Sequence, residues 1–218
     1  MTTALLIGDT GGIGAALRAE LETRGASVTG LSRATGLDVT DEDSVKAALA
    51  PLDGPYDLIF VASGALTNGQ GPEKTLRHLA PAEFTAQMHL NALGPALVLK
   101  HALRLMPRDR RSVFAALSAR VGSIGDNRLG GWYSYRASKA ALNALIHGAA
   151  VEIGRTHRHA ILACLHPGTV ATRFTQNYPD HDKVTPNTAA CRLLDVIDRL
   201  TPEQTGGFFD YAGREIPW

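Results

Sequence analysis

The chain has 218 residues, 44% of them hydrophobic and 20% charged, and 22 basic against 21 acidic side chains leave a formal charge of +1. That length and apolar content suffice for one sizeable buried core, so a single domain over residues 1–218 is expected. Near-neutral, well-mixed charge argues against nucleic acid or an anionic membrane surface as partner, and the short basic run at residues 108–111 reads as a solvated loop.

In chain order, residues 4–7 read as a buried parallel strand and residues 15–24 as an amphipathic helix. Between them lies Gly8-Asp9-Thr10-Gly11-Gly12-Ile13-Gly14. Strand, glycine turn and helix is the order a phosphate site needs: glycines let the backbone turn tightly and approach a pyrophosphate, and the N–H groups and positive dipole end of the helix face the anion. Gly8, Thr10, Gly12, Ile13 and Gly14 are therefore candidate nucleotide contacts. Apolar runs at 27–31, 58–62, 113–117 and 161–165 read as further strands, 208–211 closes the series, and helices fit between. This alternation predicts an α/β fold with one Rossmann-type, doubly wound parallel sheet, helices on both faces and right-handed crossovers. In SYRASKAALNAL, Tyr135 and Lys139 stand at i and i+4 on one helix face. An ammonium so placed favours the ionised phenol and makes a proton donor usable near neutral pH.

Other features are bland. Cys164 and Cys191 are isolated, as suits reduced thiols, and His157 and His159 read as surface residues rather than metal ligands. The start of the chain lacks the pattern of a secretory signal, and no stretch approaches the length of a membrane span, so a cytoplasmic protein is expected.

With these motifs in this order, the chain resembles the short-chain dehydrogenase/reductase family from its first strand to its C-terminus. Gly8, Gly12 and Gly14 match the family's GxxxGxG, Tyr135 and Lys139 its YxxxK, and Pro167-Gly168-Thr169-Val170-Ala171-Thr172 its PGxVxT segment; Asn91 in HLNALGPAL resembles its active-site asparagine. GSIGDN, YRASKAALN and FFDYAGREIPW are most similar to C-factor-type and sniffer-type carbonyl reductases. The resemblance implies hydride transfer between a nicotinamide cofactor and a carbonyl or alcohol, with Tyr135 as the proton donor. Lys139 would lower the phenol's pKa and bond the nicotinamide ribose, Asn91 would hold a connecting water, and Thr172 would bind the carboxamide. Pro167, Gly168 and Val170 join the implied cofactor contacts.

Several positions depart from the family pattern. Only a few residues separate Ser32-Arg33 from Asp38-Val39-Thr40, which resembles the adenine-contacting segment, whereas a parallel neighbour needs a crossover of about a dozen or more. The second crossover helix should therefore be missing and the third strand vestigial or absent. At the end of the second strand an acidic residue would bind the ribose hydroxyls of NAD; Ser32 and Arg33 instead suit a 2′-phosphate, so NADPH is favoured over NADH. Val61-Ala62-Ser63-Gly64 replaces the family's NNAG, with Gly64 leaving room for the cofactor and Ala62 and Ser63 beside the ribose. Ala119 occupies the position of the serine that polarises the substrate oxygen. Ser118 and Ser123 are the two possible substitutes; if the strand continues through Ser118, alternation turns it away from the pocket, which favours Ser123.

Residues 173–186 resemble a short substrate lid, and Trp132 and Tyr133 precede Tyr135 closely enough to line an apolar or aromatic carbonyl pocket. By resemblance a homodimer or homotetramer is expected. The alternative to a carbonyl reductase is a cofactor-binding signalling or regulatory protein of the C-factor type with little turnover, which Ala119 allows.

Overall fold

Successive side chains of a strand point to opposite sides of its sheet, and the strands of this chain are apolar on both sides, which calls for cover on both. A computed structural model, which describes residues 2–67, 71–177 and 182–218, shows how this is met. Six strands, β1 (Thr3–Ile7), β2 (Ser27–Leu31), β3 (Leu58–Val61), β4 (Ser112–Leu117), β5 (Ala160–His166) and β6 (Gly207–Asp210), form one sheet in the order β2-β1-β3-β4-β5-β6. Every pairing is parallel.

One side chain set, including Leu6, Phe60, Ala115 and Ile161, packs under α1 (Gly12–Thr23) and α6 (Pro186–Arg199), which also pack on each other. The alternate set, including Ile7, Ile59, Phe114 and Leu162, packs under α2 (Glu42–Leu49), α4 (Gly94–Ala102) and α5 (Tyr133–Ile153). The α3 helix (Pro81–Met88) lies against α5 and runs into a π-helical turn, His89–Leu93, that leads to α4. The arrangement is Rossmann-like, as the alternation of elements predicts.

Element boundaries differ from the apolar runs by one to three residues for local reasons. The α1 helix begins at Gly12, inside the glycine turn, because the turn already has helical backbone there. Pairing of Ser112 with Ala160 and of Gly207 with Ala163 lengthens β4, β5 and β6 at their starts, where the ladder extends past the hydrophobic residues.

The sheet positions a site through its strand order. The chain leaves β1 for β2 on one side, then returns over α2 to place β3 on the other side of β1. The loops after β1 and β3 therefore diverge, and the crevice at the carboxyl ends of such a pair is where open α/β sheets bind ligands. The β2 strand is an edge of the sheet, joined to β1 alone. Among the described residues no helix is long and apolar enough to cross a membrane.

Candidate active site

The loop after β1 is held by close main-chain approach. Gly8 has φ of +87°, and a Cβ on Gly14 would fall 2.0 Å from the Gly8 carbonyl oxygen. Gly12 is pressed against Thr172, whose methyl would lie 2.7 Å from a Cβ there, so the glycine turn and the PGTVAT segment meet. The N-terminus of α1 follows Gly11, which supplies no side-chain cap. Its first N–H groups thus remain for an anion. Across the crevice a Cβ on Gly8 would come within 3.0 Å of the Ser63 nitrogen, bringing Ala62, Ser63 and Gly64 alongside.

At the end of β2, Ser32 is buried with a hydroxyl that has no partner, and Arg33 is exposed at the start of a short 3₁₀ turn, Arg33–Thr35. Ser63 also has a buried hydroxyl without a partner. Asp38 is engaged: its carboxylate accepts the Thr40 N–H at 2.9 Å and hydroxyl at 2.7 Å, which holds it below the usual carboxylate range. Val39 is buried beneath it, against Gly94. Glycine cradle, uncapped helix start and orphaned hydroxyls fit a nucleotide.

Asn91 lies in the π turn before α4, fully buried. π turns of this kind often mark functional sites, because the extra residue re-aims a side chain. Its Oδ1 accepts the Ala65 N–H at 3.0 Å; its Nδ2 donates to the Ala65 carbonyl at 2.9 Å, to Ser138 Oγ at 3.2 Å and to Gln87 Oε1. The amide therefore ties the loop after β3 to α3 and α5. Tyr135 and Lys139 project from the first two turns of α5, both buried. Lys139 Nζ donates to the Leu117 carbonyl at the end of β4 at 2.9 Å and stands 5.8 Å from the centroid of the Tyr135 ring. A Cβ on Gly64 would come 3.0 Å from Asn91 Oδ1 and 3.5 Å from Lys139 Nζ, so the glycine keeps that corner open.

Burial dominates the electrostatics. It pushes the Lys139 ammonium down to about 8, with only the nearby Cys164 opposing. It pushes the Tyr135 phenol well above its ordinary value. The expected depression of the phenol by Lys139 is thus outweighed in the protein alone, since loss of water disfavours both charged forms and the ammonium sits over the ring.

The two serines differ. Ser118 donates its hydroxyl to Asn143 Oδ1 at 2.7 Å within the β4–α5 interface, which uses its proton away from the crevice. Ser123 Oγ accepts the Asp126 N–H at 3.0 Å, so its own proton remains available. Ala119 is buried with Leu66 and Tyr135, beside Val121 and Trp132. The rings of Trp132 and Phe174 stand 6.3 and 5.9 Å from that of Tyr135, while Tyr133 is the first residue of α5. Phe174 belongs to a short 3₁₀ turn, Arg173–Thr175, in the expected lid; residues 178–181 of that segment lie outside the described ones. Gly168 has φ of +80° and a Cβ there would fall 3.1 Å from the Tyr211 ring, and Val170 bridges to Val184, so Pro167 to Thr172 runs between the glycine turn and the lid.

Sequence reading passes over three residues of this site. Gln87 and Ser138 are buried partners of Asn91, and i,i+4 spacing of Gln87 to Asn91 is the signal that points to the first. Glu73 is a buried carboxylate that accepts the Ser134 N–H at 3.3 Å and the Ser134 hydroxyl, fixing the start of α5 one residue before Tyr135. It comes from a loop some 60 residues away, and no local pattern announces it.

Comparison with known proteins bears on this geometry. Residues 13–207 match a family model described as enoyl-(acyl carrier protein) reductase. The 1-hydroxy-2-glutathionyl-2-methyl-3-butene dehydrogenase of Rhodococcus sp. (strain AD45) is 32% identical over the whole of both chains. C-signal of Myxococcus xanthus is 34% identical over 76% of this chain and 94% of its own. A short-chain dehydrogenase/reductase of Burkholderia multivorans, solved with bound NADP, superposes with a TM-score of 0.83 at 26% identity, covering 100% of this chain and 99% of that one.

Proposed function

Because the chain belongs to the short-chain dehydrogenase/reductase family, we propose that it is an NADPH-dependent carbonyl reductase with Tyr135 as its general acid. The observation that carries this reading is the buried corner formed by Tyr135, Lys139 and Asn91, kept open by Gly64 beside a glycine cradle. The glycine turn, Ser63, Gly64 and Val170 would hold the nucleotide, Thr172 its carboxamide, and Ser32 and Arg33 its 2′-phosphate. NADP in the Burkholderia relative supports that preference. When bound, the cofactor supplies a hydride to the carbonyl carbon. Tyr135 gives its proton to the oxygen that gains charge. Lys139 stabilises the phenolate left behind, which the protein alone holds at a high pKa, and Asn91 keeps the loop after β3 and α5 in register around it. Ser123 is the second hydroxyl with a proton to offer the oxygen.

We read the edge position of β2 as the loss of the family's third strand and second crossover helix, consistent with the short path from Arg33 to Asp38. A single domain, homo-oligomeric and cytoplasmic, completes the proposal. The test is NADPH oxidation by the pure protein across aldehydes, ketones and quinones. Turnover of at least one class supports a reductase.

The relation to C-signal, together with Ala119, favours one alternative: a cofactor-binding regulatory protein with little turnover. Tight NADPH binding with no consumption across the same panel would select it.

A further inference from the structure

A cavity of about 460 Å³ lies at the carboxyl ends of β5 and β6. Its floor is the paired strand ends His166 and Asp210, and its walls carry four cationic side chains, Arg120, Lys183, Arg192 and Arg214. Asp210 is 1% exposed and fully engaged. Its oxygens accept the Ala212 and Arg214 N–H groups and the Arg214 guanidinium at 2.8 to 3.1 Å, with Arg120 at 3.9 Å. That carboxylate therefore fixes Arg214 and steadies Arg120, which is also paired with Asp126. It has nothing left for the other two cations.

Among the described residues Lys183 bonds a carbonyl, that of Thr175, at 2.7 Å. Arg192 lies 5.2 Å over the ring of Tyr211. Among the described residues neither has a carboxylate within ion-pair distance, and Asp182, the other acid of the wall, is paired with none of the four. A guanidinium held over a ring still has N–H groups for a planar, two-oxygen acceptor. His166 adds a buried Nδ1 without a partner. Burial pushes its ring down to about 4, so at neutral pH it is an uncharged imidazole able to donate one hydrogen bond.

Two residues of its wall adjoin segments that pack on Tyr135. Arg120 follows Ala119, which packs on Tyr135, and Lys183 is tied to Thr175 in the turn whose Phe174 faces the Tyr135 ring. A substrate reaching both Tyr135 and the cavity would lie along these two segments.

We propose that this cavity is a carboxylate subsite, and that the substrate is a carbonyl compound carrying a carboxylate held by Arg192 and Lys183. The proposal rests on the reductase reading above. Its test compares straight-chain ω-oxo acids of increasing length with their methyl esters. The acid should be preferred in kcat/KM at the best length, and the acid-to-ester ratio should fall roughly ten- to a hundredfold in Arg192→Gln combined with Lys183→Gln. A ratio near one in the native protein, or one the double variant leaves unchanged, overturns the subsite while the reductase stands. If no carbonyl compound is turned over, titration calorimetry with glutarate decides separately. Binding that the double variant weakens keeps the subsite while the reductase reading falls; no binding removes both.

Discussion

At the β1 and β3 end of the crevice the working parts are main chain: the Gly8 and Gly14 turn, the uncapped start of α1 and the close pass of Ser63. At the β4, β5 and β6 end they are side chains brought from far apart, such as Glu73 under Ser134, Phe174 against Tyr135 and Arg192 on Tyr211. The difference has a physical root. A nucleotide phosphate is met by N–H groups, which every residue has, so what must be specified is the absence of a Cβ. A particular substrate is met by particular side chains, so that half can be rebuilt without disturbing the first.

The comparison can be broken most severely at the glycine turn. Gly14→Ala would set a methyl 2.0 Å from the Gly8 oxygen, and at least a hundredfold loss of NADPH affinity, about 3 kcal/mol, is expected in fluorescence titration. Next comes the joint between the halves. Asn91→Ala empties a fully buried site and leaves the half-buried Ala65 N–H and carbonyl unpaired, and denaturant unfolding should show a loss of about 2–4 kcal/mol. Smaller effects belong to the side-chain half. Ser123→Ala should lower kcat about tenfold and Ser118→Ala much less, while Ala119→Ser should raise kcat by restoring a donor beside Tyr135. Negligible effects of both serine changes would show that neither hydroxyl reaches the substrate.

The smallest effect is a titration. Burial lowers Lys139 from its ordinary 10.5 to about 8, so kcat/KM should decline above pH 8 as the ammonium is lost. For stability the sign is opposite. Between about 8 and 9 the unfolded chain holds the lysine proton that the folded one has released, so stability should rise with pH there, until the buried Cys164 thiol, raised from 9.0 to about 12, offsets it, and Lys139→Met should remove the rise.

This division also explains what could be read in advance. The glycine turn, the Tyr135 and Lys139 pair and the alternation of strands and helices are local patterns, set by φ angles, helix periodicity and strand periodicity, and the fold carries them where those periods point. Ser118 lies just past the end of β4, and its bond to Asn143 on α5 is a tertiary contact. Glu73, Gln87 and the cation-lined cavity depend on which distant segments pack together, and no local pattern encodes that. The phenol's pKa is not legible for a related reason: spacing along the helix reveals a neighbouring charge but not the depth of burial, which here outweighs it.

The most direct test of the division of labour is to measure NADPH affinity and carbonyl turnover side by side in the native protein and in Tyr135→Phe. The expected result is unchanged NADPH affinity with turnover reduced at least a hundredfold, since loss of a positioned proton donor has an effect of about that size. Turnover within a few fold of the native rate would contradict the account, because it would mean that the proton comes from somewhere other than the buried tyrosine.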